Sequence, residues 1–125
     1  MSEIRRLHGP YTKGNFSLGE GSYVQADSYF ITTPDHYITI GKDCAIGHWC
    51  YLSTKQHKTE HHREAFEGDI DILCGTWLGN CVVVYPGVTI GENCVIGAHL
   101  VVKHDVPPNT KMYNTYNTEQ VRSNE

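Results

Sequence analysis

Residues Ile72–Val102, ILCGTWLGNCVVVYPGVTIGENCVIGAHLVV, contain the most informative pattern of the chain, because an aliphatic residue returns every six positions. These anchors are Ile72, Leu78, Val84, Ile90, Ile96 and Val102. A helix repeats every 3.6 residues and a flat strand every two, so neither element produces this period. A six-residue repeat is typical of a solenoid in which each short flat face contributes one inward aliphatic side chain.

The same register continues upstream of this stretch. The earlier anchors are Leu18, Val24, Phe30, Ile40, Ile46 and Leu52. Three hexads make one triangular turn, which predicts a single domain over 1–125 with about four coils between about 16 and 109. Extra residues interrupt the hexad repeat at two places: a turn predicted at Thr33–Asp35 and a polar loop excursion over about 58–71. A polar C-terminal tail is expected over 110–125.

Composition and charge exclude several classes of protein. The 125 residues carry a net charge of −4, whereas a nucleic-acid-binding domain normally has a basic face. Because there is neither a membrane-length apolar run nor an apolar signal segment, we expect a cytoplasmic protein that binds no membrane. Cys44, Cys50 and Cys94 fall four residues after an anchor, which predicts small buried core side chains. No C-x-x-C spacing indicates a metal site or a disulfide.

Outward-facing apolar residues predict that one side of the solenoid is covered. Val83 and Val101 lie next to inward anchors, and Trp77 precedes one. A short solenoid gains stability from association, because its few coils have few neighbours to pack against. Ring-closing contacts around a threefold axis would cover such a side, so we expect a homotrimer.

Two motifs resemble a known family. The run WLGNCVVVYPGVTIGENCVIGA over Trp77–Ala98, followed by DVPPN over Asp105–Asn109, is similar to the hexapeptide-repeat acetyltransferases. The similarity is greatest to the branch that contains the galactoside, maltose and nodulation O-acetyltransferases and the related xenobiotic acetyltransferases. A looser match extends back to Leu18.

The resemblance implies both a fold and an activity. The fold is all-β, a left-handed parallel β-helix of about four coils, assembled as a homotrimer with active sites in clefts between adjacent subunits. Acetyl-CoA is the implied donor, a hydroxyl of a sugar or related small molecule is the implied acceptor, and no metal is expected. The handedness comes with the resemblance and does not follow from the spacing.

The resemblance also implies a catalytic histidine. In these enzymes it lies seventeen residues after the anchor that opens its coil, where the long loop departs, and counting from Ile40 reaches His57. A neutral imidazole is suited to take the proton of an alcohol as the oxygen attacks a thioester. The alternatives are that His57 is an exposed loop residue, or that His61 or His62 is the base. His62 is otherwise expected to contact the acceptor.

Further site residues follow from the same resemblance. Asp27 aligns with the family's acceptor-binding asparagine, and Trp77 takes the position that lines the cleft, although a turn carboxylate and interface packing are the respective alternatives. The donor is expected to contact Gly79, Gly97 and Ala98 through its pantetheine arm and Lys103 and Lys111 through its phosphates. The alternatives for these five are tight corners that require small residues and solvated surface lysines.

Two departures from the family pattern keep other functions open. His104 stands where the family has lysine, and Asn114–Thr118 replaces the usual Gly-Asn-Pro-Ala-Lys. The altered tail favours a non-catalytic binding or structural module as the main alternative. His99 and His104 have the five-residue offset of the γ-carbonic anhydrase ligands, but they fall on the wrong phase and lack a third histidine.

Overall fold

The computed structural model describes residues 11–57 and 65–114, which form short β-strands joined by turns. Fourteen of the strands pair in parallel and build three sheets, and each sheet is one flat face of a three-sided coil. Faces 1, 2 and 3 are named in the order in which a coil visits them, and each edge takes the numbers of the two faces that it joins.

The strands of each face stack one above another along the coil. Face 1 contains β2 (Asn15–Leu18), β5 (Tyr37–Ile40), β10 (Ile70–Ile72) and β13 (Thr89–Ile90). Face 2 contains β3 (Tyr23–Val24), β6 (Ala45–Ile46), β11 (Trp77–Leu78), β14 (Val95–Ile96) and β16 (Lys111–Met112). Face 3 contains β1 (Tyr11–Lys13), β4 (Tyr29–Ile31), β7 (Tyr51–Ser53), β12 (Val83–Val84) and β15 (Val101–Val102).

The six-residue register is confirmed by the strand pairing, because anchors of successive coils lie directly opposite one another. On face 1, Ile40 pairs with Ile72 and Ile72 with Ile90. The fully buried anchors are Phe30, Ile40, Ile46, Leu52, Ile72, Leu78, Val84, Ile90 and Ile96. Leu18 is an exception at 41% exposure, because β2 is the edge strand of face 1 and no further strand covers it.

The coil turns by placing one residue in the left-handed backbone region three positions after an anchor. Asp43 (φ 56°) and Asn93 (φ 55°) are residue types that tolerate this conformation, whereas Trp49 (φ 63°) is a bulky side chain that rarely adopts it. Backbone hydrogen bonds continue across these corners. The Cys81 N–H donates to the His48 carbonyl at 2.8 Å, and the His99 N–H donates to the Asn80 carbonyl at 3.0 Å.

The three cysteines predicted to be core residues are buried, which confirms that prediction. Each thiol also donates to a backbone carbonyl of the next coil: Cys44 to Leu73 at 3.2 Å and Cys50 to Gly79 at 3.2 Å, with Cys94 in the equivalent arrangement at 3.1 Å. The small side chains therefore fill the corners and link neighbouring coils.

Both insertions that interrupt the hexad repeat lie on edge 3–1. The predicted turn at Thr33–Asp35 is present, and the His36 N–H donates to the Thr33 carbonyl at 3.3 Å. The excursion begins earlier than position 58, because β8 (Lys55–His57) has already left the coil and pairs antiparallel with β9 (Ala65–Glu67). It also ends earlier than position 71, since Ile70–Ile72 already pairs with β5 on one side and with β13 on the other.

The parallel strand pairing extends beyond both ends of the coils that the hexad repeat predicted. At the C-terminal side, Lys111–Met112 pairs with β14 on face 2, where a polar tail had been expected from position 110. Met112 is half-buried against the core and replaces the aliphatic anchor of a regular hexad. At the other end, β1 pairs with β4 ahead of the first counted anchor.

Candidate active site

The β8–β9 hairpin on edge 3–1 carries the backbone of His57. Ser53 makes the exit from the coil, because its hydroxyl donates to the Lys55 carbonyl at 2.7 Å and accepts from the Lys55 N–H at 3.3 Å. The chain returns at Gly68, whose N–H donates to the Thr54 carbonyl at 3.0 Å. The hairpin is therefore fastened to the coil at both ends.

The position of His57 is described only at the level of the backbone. It is the last residue of β8 and pairs with Ala65 of β9. His61 and His62 lie outside the described residues. The role of His57 as general base and that of His62 as acceptor contact stay predictions.

A cluster that the sequence did not single out lies at the foot of the same hairpin. The Nδ1 atom of His36 lies 3.0 Å from Oδ1 of Asp69, and its Nε2 atom lies 3.9 Å from Oε1 of Glu67. The same Asp69 oxygen accepts the Tyr37 N–H at 3.0 Å. The Tyr37 N–H, and then the His36 imidazole, lower the pKa of Asp69 below its usual value.

Asp71, two residues further on, has the opposite shift. Burial, and then the negative charge of Asp69, raise the pKa of Asp71 above its usual value. Asp71 lies on face 1 between Thr39 and Thr89, which are its partners in the strand register. The two aspartates therefore have opposite pKa shifts: Asp69 accepts hydrogen bonds, which lower its pKa, and Asp71 is partly desolvated, which raises its pKa.

Four of the predicted site residues come together elsewhere, at face 2 and edge 2–3. A cavity of about 300 Å³ is lined by Trp77, Gly79, Gly97 and Ala98, with Asn80 and Tyr113 beside them. The two glycines are also required by packing. A Cβ added to Gly79 would lie 2.9 Å from the Ala98 nitrogen, and one added to Gly97 would lie 3.0 Å from the Met112 carbonyl oxygen.

The two predicted phosphate-binding lysines lie apart from each other. Lys111 is exposed on β16 and pairs with Val95, a residue that lines the face 2 cavity. Lys103 follows β15 and lines a separate cavity of about 280 Å³ with His104 and Asp105. Its Nζ atom lies 5.5 Å from the ring centroid of Tyr85, within the range of a cation–π contact.

Asp27 lies on edge 2–3 in the first complete coil, with φ of 66° and a half-buried side chain. The cavity lies on the same edge, but Gly79 belongs to the third coil. Two coils at the usual strand spacing correspond to about 10 Å along the axis. Asp27 is therefore placed on the same edge as the glycines and not in contact with their cavity.

Within one chain, the predicted base and the predicted donor cavity lie apart. The hairpin with His57 leaves at edge 3–1, whereas Trp77 and the glycine cavity lie on face 2, which is the face opposite that edge. A single chain does not bring His57 to Trp77. Among the described residues, no group of three histidine, cysteine, aspartate or glutamate side chains is placed to hold a metal ion. No helix in the described part of the chain is long and apolar enough to cross a membrane.

Comparison with known proteins identifies relatives of the chain. Residues 69–104 match the family model described as bacterial transferase hexapeptide, six repeats. A Staphylococcus aureus protein named as a predicted acetyltransferase is 46% identical over 98 residues, covering 77% of this chain and 49% of that protein. The galactoside O-acetyltransferase of Escherichia coli is 37% identical over 102 residues, covering 75% of this chain and 50% of that protein.

The chain is also similar to a solved structure of an acetyltransferase. The hexapeptide-repeat acetyltransferase of Vibrio cholerae, complexed with acetyl coenzyme A, is 27% identical and superposes with a TM-score of 0.71, covering 91% of this chain and 70% of that one. The chain spans about half the length of the curated relatives that it matches. Residues 69–104 carry the hexapeptide repeat, the chain is similar to acetyltransferases built from that repeat, and its coil is a left-handed parallel β-helix.

Proposed function

We propose that the chain is an acetyl-CoA-dependent O-acetyltransferase that acts on a hydroxyl of a sugar or related small molecule. The observation that carries this proposal is the long interruption of the coil at edge 3–1 in the described part of the chain, where β8 ends at His57. The matched relatives support the reaction type, since they include a galactoside O-acetyltransferase and a structure that holds acetyl coenzyme A.

The proposed reaction needs one base and no covalent enzyme intermediate. The neutral His57 imidazole takes the acceptor's hydroxyl proton while the oxygen attacks the carbonyl carbon of the thioester. The carbon–sulfur bond then breaks, and the imidazolium returns the proton to the departing CoA thiolate. Binding both substrates side by side replaces a bimolecular encounter, and base catalysis of this kind contributes about 10²–10⁴-fold.

We assign the donor to the face 2 cavity. Gly79, Gly97 and Ala98 expose backbone along its wall, and a pantetheine arm is a chain of amides that pairs with such backbone. Trp77 is 53% exposed beside them and offers an apolar surface. Lys111 on β16 is the proposed phosphate contact. Lys103, in the separate cavity that follows β15, is proposed as the second.

The proposed assembly is a homotrimer in which faces 2 and 3 are covered. The outward rows of these faces are mostly apolar or aromatic: Tyr23, Ala45, Trp77 and Val95 on face 2, where Lys111 ends the row, and Tyr29, Tyr51, Val83 and Val101 on face 3. Face 1 has a polar outward row of Ser17, Thr39, Asp71 and Thr89, with Tyr37 as an exposed aromatic residue beside it. In the assembly, His57 of one subunit and the face 2 cavity of its neighbour would complete one site, with Asp27 and His62 toward the acceptor.

The catalytic proposal is tested by the variant His57→Ala. Calorimetry with acetyl-CoA measures donor binding, and release of free CoA with a β-galactoside or maltose measures transfer. We expect transfer to fall by about 10²–10⁴-fold with donor affinity unchanged. Glu92→Gln, an exposed carboxylate on edge 1–2, is the control and should leave both unchanged. Full activity in His57→Ala would move the base to His61 or His62, and absence of acetyl-CoA binding in the wild type would favour the non-catalytic module.

The assembly is tested by placing a charge on different faces. Val101→Glu on face 3 should convert the trimer into smaller species in analytical ultracentrifugation, because it buries a carboxylate in the proposed interface. Thr39→Glu puts the same charge on face 1 and should leave the trimer intact. A wild-type monomer, or equal behaviour of the two variants, would contradict the assignment of the covered faces.

A further inference from the structure

We propose that His36 is a positioning residue that holds the β8–β9 hairpin, and thereby His57, in a fixed place on edge 3–1. This inference rests on the proposed function, because the purpose of the fixed position is catalysis by His57. Nothing in the sequence pattern points to His36, which lies in the turn between two coils. Its importance follows from the contacts that it makes across 33 residues of chain.

The His36 ring bridges the coil and the returning arm of the hairpin. Asp69 Oδ1 lies 3.0 Å from Nδ1, at hydrogen-bond distance, and Glu67 Oε1 lies 3.9 Å from Nε2 on the other side of the ring. The imidazole is thus placed between two carboxylates on one short segment. Asp69 also accepts the Tyr37 N–H, so its carboxylate is held by two donors at 3.0 Å.

The coil side of this bridge is itself rigidly built. The side-chain amide of Asn15 donates to the carbonyls of Pro34 and His36, at 3.2 and 3.1 Å. The His36 N–H donates to the Thr33 carbonyl, which closes the turn. A side chain on a turn that is fixed by several hydrogen bonds is a suitable support for a functional group.

The register of the hairpin carries this position to His57. Glu67 is the last residue of β9 and pairs with Lys55, the first residue of β8. His57 pairs with Ala65 two positions further along the same two strands. Because paired strands share their backbone hydrogen bonds, fixing Glu67 and Asp69 restricts the displacement of His57 relative to the coil.

The expected effect is on geometry and not on global stability. The side chain of His36 is 26% exposed, that of Glu67 46% and that of Asp69 54%. Ion pairs with such exposure contribute little to the free energy of unfolding. A misplacement of a catalytic group by about 1 Å, in contrast, lowers a rate by up to about 10²-fold. Activity should therefore be far more sensitive to His36 than unfolding is.

Hydrogen exchange of backbone amides tests the bridge without any reference to activity. In His36→Ala, we expect the amides of 55–57 and 65–67 to exchange at least about tenfold faster, because local opening becomes easier. The amides of Leu78 and Ile96 in the regular coil should be unchanged. His36→Asn keeps a nitrogen donor near the Nδ1 position and should retain most of the protection, and Glu92→Gln is the neutral control. Unchanged exchange of the hairpin in His36→Ala overturns the proposal.

Kinetics then test whether the bridge serves His57. We expect kcat of His36→Ala to fall by about 10²-fold, with KM for acetyl-CoA unchanged within a factor of about two and partial recovery in His36→Asn. A faster-exchanging hairpin with unchanged kcat would overturn the positioning role. If the wild type lacks acetyl transfer altogether, the proposed function fails, and a protected hairpin that loosens in His36→Ala would still establish His36 as its support.

Discussion

The regular coil between residues 70 and 106 and the hairpin on edge 3–1 are held in different ways. In the coil, each face contributes an aliphatic side chain with almost no exposure, and every strand has a parallel neighbour in register. The hairpin has only its own two strands, which pair with each other and with no other strand in the described part of the chain. Polar contacts from Ser53, Thr54 and His36 fasten it to the coil.

This difference separates stability from chemistry. A core made of repeated apolar stacks tolerates no polar group without a partner, so it leaves little room for a catalytic side chain. An insertion held at its base by a few hydrogen bonds presents titratable groups at the surface, where substrates reach them. The coil should therefore respond to changes in volume, and edge 3–1 should respond to changes in charge and geometry.

The largest effect is expected from a cavity in the coil. Leu78→Ala removes a fully buried anchor from face 2, and a Leu-to-Ala change in a core costs about 2–5 kcal/mol of unfolding free energy. Thr39→Ala, which alters an exposed outward residue of face 1, should change it by less than about 0.5 kcal/mol. Chemical denaturation followed by circular dichroism measures both, and similar losses would mean that the anchors do not carry the stability.

A smaller loss of stability is expected from Gly91→Ala, which adds a side-chain carbon where two coils pack closely together. A Cβ there would lie 2.5 Å from the nitrogen and 2.8 Å from the Cα of Pro108, so two backbones must separate, at a cost of about 1–3 kcal/mol.

Gly87→Ala is the matched control for that prediction. The position has open space but a φ of 81°, so it should cost only about 1 kcal/mol, from the left-handed backbone. Melting temperatures compare the two variants. A more stable Gly91→Ala than Gly87→Ala would contradict the close approach of the coils.

The smallest effect is expected from Asp69 on edge 3–1 and Asp71 on face 1, and the two effects should differ in sign. The pKa of Asp69 is lowered in the folded state, so its stabilisation is present above its ordinary value of 3.8 and is lost as the pH falls through the folded-state pKa. The pKa of Asp71 is raised, so its ionisation destabilises the fold at neutral pH and this penalty disappears as the pH falls through its folded-state pKa.

Substitution by asparagine separates the two aspartates. At pH 7, Asp69→Asn should lower the melting temperature and Asp71→Asn should raise it, and each difference should diminish toward pH 3. Melting curves between pH 3 and 7 measure this. Shifts of the same sign at pH 7 would contradict the assignment of hydrogen bonding to one carboxylate and desolvation to the other.

The sequence predicted the coil well because its physical rule is local. Each face buries one apolar side chain, so a six-residue period is visible in the amino-acid sequence between Leu18 and Val102. The buried cysteines occupy a fixed position within that period. The prediction was less accurate where that rule ends. The chain leaves the coil at Lys55, three residues before the next anchor position, which is Lys58 and lacks an aliphatic side chain. Met112 stays in the coil although its surroundings are polar.

The hexad pattern was enough to predict the three-sided coil, the identity of its anchor residues and the approximate place of the long interruption. The folded chain was needed to show that His36 contacts Asp69, that Asp69 and Asp71 have opposite pKa shifts, and that His57 and Trp77 lie on opposite sides of one chain. The physical reason is the range of the interactions. Burial of every sixth side chain is set within a few residues, whereas these contacts depend on how an insertion of irregular length closes back onto the coil.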